Sequence, residues 1–225
     1  MAETSGRRHV FLLAFCLTSD RYRVIIKFAV LCPKSGAQFE MAARIEPLIT
    51  VDDLDAMPED GNRYEVIEGE LFVSRAPGVP HQRVSTNFVI NFGIYLIDNP
   101  IGEVIATPGL IFGKYSGVIP DVVFFTHERA REIISGERLI AAPELVIEIL
   151  SRGTSNVARD RIVKRQLYAK YGVAEYWIAD AENRAIEVYR LQNGTLELVN
   201  IFRYEDEITT PLLPGFRCSV ASIFR

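Results

Sequence analysis

Residues 143–171 read PELVIEILSRGTSNVARDRIVKRQLYAKY. The first part, Leu145-Val146-Ile147-Glu148-Ile149-Leu150, is an apolar run of strand length broken by one carboxylate. A run this apolar predicts a strand covered on both faces, where a charge is costly unless something binds it. Ser151 to Thr154 make a polar turn, and Ser155 is a good N-cap residue, so a helix is expected to begin near it. Gly172 ends that helix in the C′ position, and Glu175–Ala179 (EYWIA) reads as the next strand. This strand–helix–strand unit lies among hairpins, which predicts an α/β domain built on a mixed sheet.

Lys164 occupies an odd place on the helix. Steps of about 100° per residue put Val157, Asp160, Leu167, Tyr168 and Tyr171 around it on one face. Arg159, Arg165, Gln166 and Lys170 are expected to point the other way. A lysine in an apolar stripe can snorkel to the stripe's edge or pair with Asp160 one turn earlier. With Glu148 on the strand just before it, a functional role leads.

The 225 residues carry 48% hydrophobic and 24% charged side chains, ordinary for a globular chain with a real core. Cys16, Cys32 and Cys218 are scattered, odd in number and without metal-ligand spacing, which points to a reducing compartment and a cytoplasmic protein. A net charge of −4 argues against coating nucleic acid by bulk charge, so any phosphodiester chemistry needs a local source of positive charge.

Residues 1–40 differ in character from the remainder of the chain. Val10–Leu17 after Arg7-Arg8 imitates a secretion signal, but the run is short, charges come soon after it, and no small-x-small cleavage site is present. Neither apolar run there is long enough to cross a bilayer as a helix. Two readings remain for this extension: an accessory hairpin, or upstream sequence with Met41 as the natural start. The second is favoured, because residues 41–225 begin like a complete single domain.

Further along, Thr50-Val51-Asp52-Asp53-Leu54 looks like the cap and first turn of a short helix. Arg63–Ser74 (RYEVIEGELFVS) reads as a hairpin turning at Glu68-Gly69, and His81–Leu96 as a helix stopped by Asp98-Asn99-Pro100. Short strands are expected at Gly102–Thr107, Leu110–Gly113 and Val118–Phe125 (VIPDVVFF). Asn193-Gly194 is a strong hairpin turn between Ala185–Leu191 and Thr195–Phe202.

Three ionisable residues thus lie in apolar surroundings: Asp121, Glu148 and Lys164. Each has a structural alternative: Asp121 could cap a turn, and Glu148 could pair with Lys164 for fold specificity alone. Buried pairs are weak stabilisers. Two carboxylates from neighbouring strands suit a hard divalent cation such as Mg²⁺, which takes one or two carboxylates plus waters and substrate phosphate. A lysine beside it could neutralise charge developing on phosphorus.

Pro120-Asp121, Glu148 on the following hydrophobic strand and a nearby lysine are similar to the PD-(D/E)XK nuclease superfamily. In most members the lysine comes two residues after the glutamate, but that position here is Leu150. The segments RYEVIEGEL, PDVVFF, PELVIEILS, RD-x3-K-x3-Y, YGVAEYWIAD and LLPGF, in that order, resemble the Uma-type restriction endonucleases. In that family the lysine comes from the following helix. The resemblance spans most of Leu48–Phe224 and leaves residues 1–40 outside. It implies a restriction-endonuclease-like core, with Asp121 and Glu148 as metal ligands for Mg²⁺ (Mn²⁺ as substitute) and Lys164 as the migrated catalytic lysine. Glu65 matches an acidic position and either completes the site or is an exposed hairpin carboxylate. His81 is a phosphate contact or a helix-start residue. Arg152, Arg159, Arg161 and Arg165 could supply a local basic patch, Arg152 and Arg161 being the substrate-binding candidates, against a solvated helix face for most of them. The function implied is a Mg²⁺-dependent DNA endonuclease, expected as a homodimer because cutting two strands needs two sites, with no membrane association. The alternatives are a non-catalytic nucleic-acid-binding or interaction protein on the same fold, and a hydrolase of small phosphoesters.

Overall fold

In a computed structural model of the chain, residues 10–18, 22–31, 38–150 and 159–225 are described. The chain divides into two compact units, Met1–Ile49 and Thr50–Arg225. The first holds an antiparallel sheet of β1 (Val10–Thr18), β2 (Tyr22–Leu31) and β3 (Gln38–Pro47). Met41 falls inside β3, opposite Phe28.

In the second unit, α1 (Val51–Leu54) is closed by a capping box in which Thr50 and Asp53 bond each other's backbone. The hairpin β4 (Asn62–Ile67) and β5 (Glu70–Arg75) turns at Glu68 and Gly69, both with positive φ, in keeping with its sequence. Helix α2 (Val79–Asp98) starts with Pro80 in its first turn. Then come β6 (Gly102–Ala106), β7 (Leu110–Gly113), β8 (Ser116–Val118), β9 (Val122–Thr126), α3 (His127–Ile133), β10 (Ile134–Ser135), β11 (Arg138–Leu139) and β12 (Leu145–Ile149). A π-helical turn (Arg159–Lys164) runs directly into α4 (Arg165–Tyr171). Gly172 closes α4 in the left-handed conformation at φ 85°. The strands β13 (Glu175–Asp180), β14 (Ala185–Gln192), β15 (Thr195–Arg203), β16 (Glu207–Ile208) and β17 (Cys218–Ser219) and the short α5 (Val220–Ile223) complete the chain.

The central sheet has the order β15-β14-β13-β12-β9-β6, and a second sheet the order β10-β11-β7-β8-β4-β5. β12 runs parallel to β13 and antiparallel to β9, the mixed sheet expected of the crossover unit. The segment expected as one strand, Val118–Phe125, is two strands in two sheets. Pro120 has no N–H for a ladder, and the chain changes sheet across Ile119-Pro120-Asp121.

Alternation along β12 positions the site. Leu145, Ile147 and Ile149 pack with Phe88 and Phe92 of α2, Trp177 and Phe216. Val146 belongs to the opposite core with Leu167, Tyr168 and Tyr176. Period two gives Glu148 the Val146 face, beneath α4, and β12 is buried at every residue, as its apolar composition foretold. Another buried carboxylate, Glu175, ties the C-terminal segment to the sheet. It accepts from Trp177 Nε1 (2.9 Å), Thr210 Oγ1 (2.9 Å) and Arg190 Nε (2.6 Å). No helix among the described residues is long and apolar enough to cross a membrane.

Candidate active site

The acid on β12 and the acid at the sheet corner are neighbours by register. Ile147 pairs with Val122 across β12 and β9, so Glu148 and Asp121 stand one step further on. The backbone confirms the fit, since the Ile149 N–H donates to Asp121 Oδ2 at 2.9 Å. Glu65 comes from the second sheet and accepts the Ile119 N–H at 2.8 Å, which fixes the corner from the other side.

Lys164 enters this acidic centre from above. Its Nζ lies 2.9 Å from Glu148 Oε1 and 2.9 Å from Glu65 Oε1, and the side chain is only 2% exposed. Tyr168, one turn on, donates its hydroxyl to the same Glu148 oxygen at 2.7 Å, so it serves the site as well as the core. Glu148 Oε2 accepts no hydrogen bond from any described residue. On Asp121, His81 Nε2 sits 3.1 Å from Oδ2 and Arg63 Nη1 3.2 Å from Oδ1. His81 Nδ1 is buried and unpartnered among the described residues.

Arg159 corrects the helical-wheel expectation. It does not face away from Lys164: its Nη1 is 3.8 Å from Glu65 Oε2, and its Nε bonds Asp160 Oδ1 at 3.2 Å. The cause is the π-helical turn, whose i→i+5 repeat places Arg159 and Lys164 on one face, where an α-helix would part them. Asp160 is buried too, and the Tyr176 hydroxyl secures its carbonyl at 3.0 Å. Arg161 stands apart from the cluster. Its guanidinium is held by Glu187 at 2.6 Å and Asp180 at 3.3 Å, and it does not line the central cavity. Arg152 and Ser155 fall outside the described residues.

The electrostatics arise from four acids gathered around one fully buried lysine. Burial raises the Glu148 carboxyl most; Lys164 lowers it in part, repulsion from Asp121, Asp160 and Glu65 raises it again, and it is pushed up to about 8. Burial also raises Asp160. For Asp121 burial is overcome by the His81 hydrogen bond and charge, the Ile149 N–H and Lys164, which keep it below the usual carboxylate range. Burial disfavours the Lys164 ammonium, yet Glu148, Glu65 and Asp160 hold it charged far above the ordinary lysine range. The carboxylates around it thus favour the charged form of Lys164. Burial raises the Tyr168 phenol well above its normal value, which keeps it a donor to Glu148.

These residues line a cavity of about 20 Å³. A single water or ion needs about 10–15 Å³. Among the described residues no cluster of three or more His, Cys, Asp or Glu side chains is arranged to cage a metal. The donor set suits instead the two-carboxylate pattern of Mg²⁺, most of whose other ligands are waters and phosphate. Glu148 Oε2, to which no described residue donates, and a cavity of one-ion size fit that pattern.

Comparison with known proteins places the chain in a family. The model of the Uma2 family, described as "putative restriction endonuclease", matches residues 51–221. The chain belongs to the Uma2 family. A crystal structure described as a "putative nuclease belonging to DUF820" from Anabaena variabilis has the same fold, with a TM-score of 0.64 at 22% identity. The match covers 78% of this chain and 97% of that one. No curated protein matches. The family expected from the motifs and the restriction-endonuclease-like fold are thus both borne out, and Uma2 membership supports a nuclease function. The match begins at Val51, so the first compact unit lies outside it.

One residue at this Uma2 site escaped the sequence reading and another was legible only in part. Arg63 could have been found, because it precedes Glu65 by two on one strand and so shares its face. Arg159 is legible as one cation of a basic patch, but not its place against Glu65 and Asp160, because nothing in its composition announces a π-helical turn.

Proposed function

We propose that this Uma2 protein is a divalent-metal-dependent DNA endonuclease. The observation that carries the proposal is the buried Lys164 ammonium bonded to Glu148 and Glu65 beside Asp121, at a cavity of one-ion size. Asp121 and Glu148 would hold Mg²⁺ or Mn²⁺. When bound, such a cation neutralises the scissile phosphate and acidifies an attacking water.

The chain's own residues supply the rest. Lys164, held by its contacts to Glu148 and Glu65, would act by charge and hydrogen bonding on a phosphate oxygen. Tyr168 and Lys164 together fix Glu148 Oε1, which leaves Oε2 directed to chemistry. Arg159 offsets Glu65 and Asp160 and completes, with Arg63, the local positive charge that a net acidic chain must provide. His81 holds Asp121 and by this reading is a positioning residue. DNA as substrate and a homodimer that cuts both strands extend the same proposal.

Nicking of supercoiled plasmid tests it. Wild-type protein is expected to nick with Mg²⁺ or Mn²⁺ and not in EDTA, and Glu148→Gln to lose the activity while it keeps a cooperative unfolding transition. Equal nicking by wild type and Glu148→Gln would falsify the proposal.

A further inference from the structure

Arg63 differs from the other cations at the centre. Among the described residues, Lys164 is 2% exposed with two carboxylate contacts and Arg159 11% exposed with two, whereas Arg63 is 23% exposed with a single one, 3.2 Å from Asp121 Oδ1. Single, partly solvated ion pairs are worth little compared with bidentate or buried ones. The other oxygen of Asp121 is held separately, because His81 Nε2 and the Ile149 N–H both reach Oδ2.

Arg63 also has somewhere to go. It lines the 20 Å³ centre and a second cavity of about 360 Å³, and Ile119 is the other residue shared by their walls. The larger cavity is walled by residues of α1, β7 and β8 and has Arg138 at its margin, paired with Asp55 at 2.9 Å. Arg63 thus stands at the border of the two spaces, and its guanidinium covers an oxygen of Asp121, one of the two acids proposed to hold the cation.

We propose that Arg63 is an exchangeable counter-ion. Arg63 pairs with Asp121 Oδ1; were a divalent cation to take that oxygen, Arg63 would turn toward the larger cavity and contact a phosphate of the substrate strand. This deepens the nuclease reading and rests on it. Two consequences separate it from a fixed structural ion pair. Arg63 and the metal compete, so removing the guanidinium strengthens metal binding. Arg63 and DNA cooperate, so removing it deletes one phosphate contact.

The test uses the full chain and the variants Arg63→Gln and Arg63→Lys, with folding checked by thermal denaturation. Calorimetric titration with Mn²⁺ alone is expected to give a dissociation constant about two- to fivefold tighter for Arg63→Gln, the range of a partly exposed ion pair. Binding of a short duplex oligonucleotide in Ca²⁺, measured against salt, is expected to lose about one unit of log–log slope. Arg63→Lys keeps the charge and should restore most of that slope. Unchanged or weakened Mn²⁺ binding by Arg63→Gln, where wild type binds Mn²⁺ and Glu148→Ala does not, overturns the exchange and leaves the nuclease reading standing. An unchanged salt slope overturns the phosphate contact. Absence of Mn²⁺ binding in wild type removes the nuclease reading, and this inference with it.

Discussion

Deleting the Lys164 ammonium isolates the buried ion pairs of the centre. In Lys164→Met, two buried carboxylate oxygens, Glu148 Oε1 and Glu65 Oε1, each lose a cation that stood 2.9 Å away. Removing one partner of a buried ion pair costs about 3–5 kcal/mol, because the remaining charge stays buried. Domains of this size have about 5–15 kcal/mol in total, so the loss is a large share. The partner variant Glu148→Gln behaves differently. The amide keeps the shape and can still accept from Lys164 and Tyr168, and it removes one of four crowded acids.

The pH dependence has a defined sign. The Glu148 carboxyl is raised from 4.5 to about 8 in the fold, so between those values the folded protein binds more protons than the unfolded one. Metal-free wild type should therefore lose stability as pH rises from about 5 to 8, and Glu148→Gln should lose less over the same interval. Urea unfolding in EDTA, read from the buried Trp177, measures all of this, since the chain has one tryptophan. At pH 8 Lys164→Met should be less stable by about 3–5 kcal/mol, Glu148→Gln equal to wild type or more stable, and the double variant better than Lys164→Met. A Lys164→Met loss below about 1 kcal/mol, the range of an exposed pair, would refute the reasoning, as would a Glu148→Gln loss equal to it.

Other outcomes rest on single contacts. Tyr168→Phe removes one buried hydrogen bond to Glu148 and should lower stability by about 1 kcal/mol, with a larger fall in nicking rate than in DNA affinity. Glu175→Ala leaves Trp177, Thr210 and Arg190 without their shared acceptor; thermal denaturation should show a loss of about 3 kcal/mol with residual nicking unchanged per folded molecule. Gly102→Ala would drive a Cβ into the Phe125 carbonyl oxygen and the Phe124 ring, so β6 should detach from β9, seen as faster amide exchange at Val104 and Ile105.

The sequence made the centre of this molecule readable where chemistry and periodicity coincide. Glu148 in an otherwise apolar strand and Lys164 in an apolar stripe each violate the pattern around them, and the structure brings them within hydrogen-bond distance. Turn chemistry was equally legible at Glu68-Gly69 and Gly172, where positive φ calls for particular residues. What escaped depends on three-dimensional choices that composition does not encode. Pro120 announces a break, but not that Val118 and Val122 belong to different sheets. A wheel drawn at the α-helical angle misplaces Arg159 once the turn widens. Arg161 was assigned to substrate as a cation near the lysine, yet Glu187 and Asp180 claim it from neighbouring elements.

The central claim is that Asp121 and Glu148 hold a divalent cation next to Lys164. Crystals soaked in Mn²⁺ and measured for anomalous scattering address it directly. The account predicts a peak bridging those two carboxylates, absent from Glu148→Gln crystals. Density elsewhere, or none under conditions in which the protein nicks DNA, would contradict it.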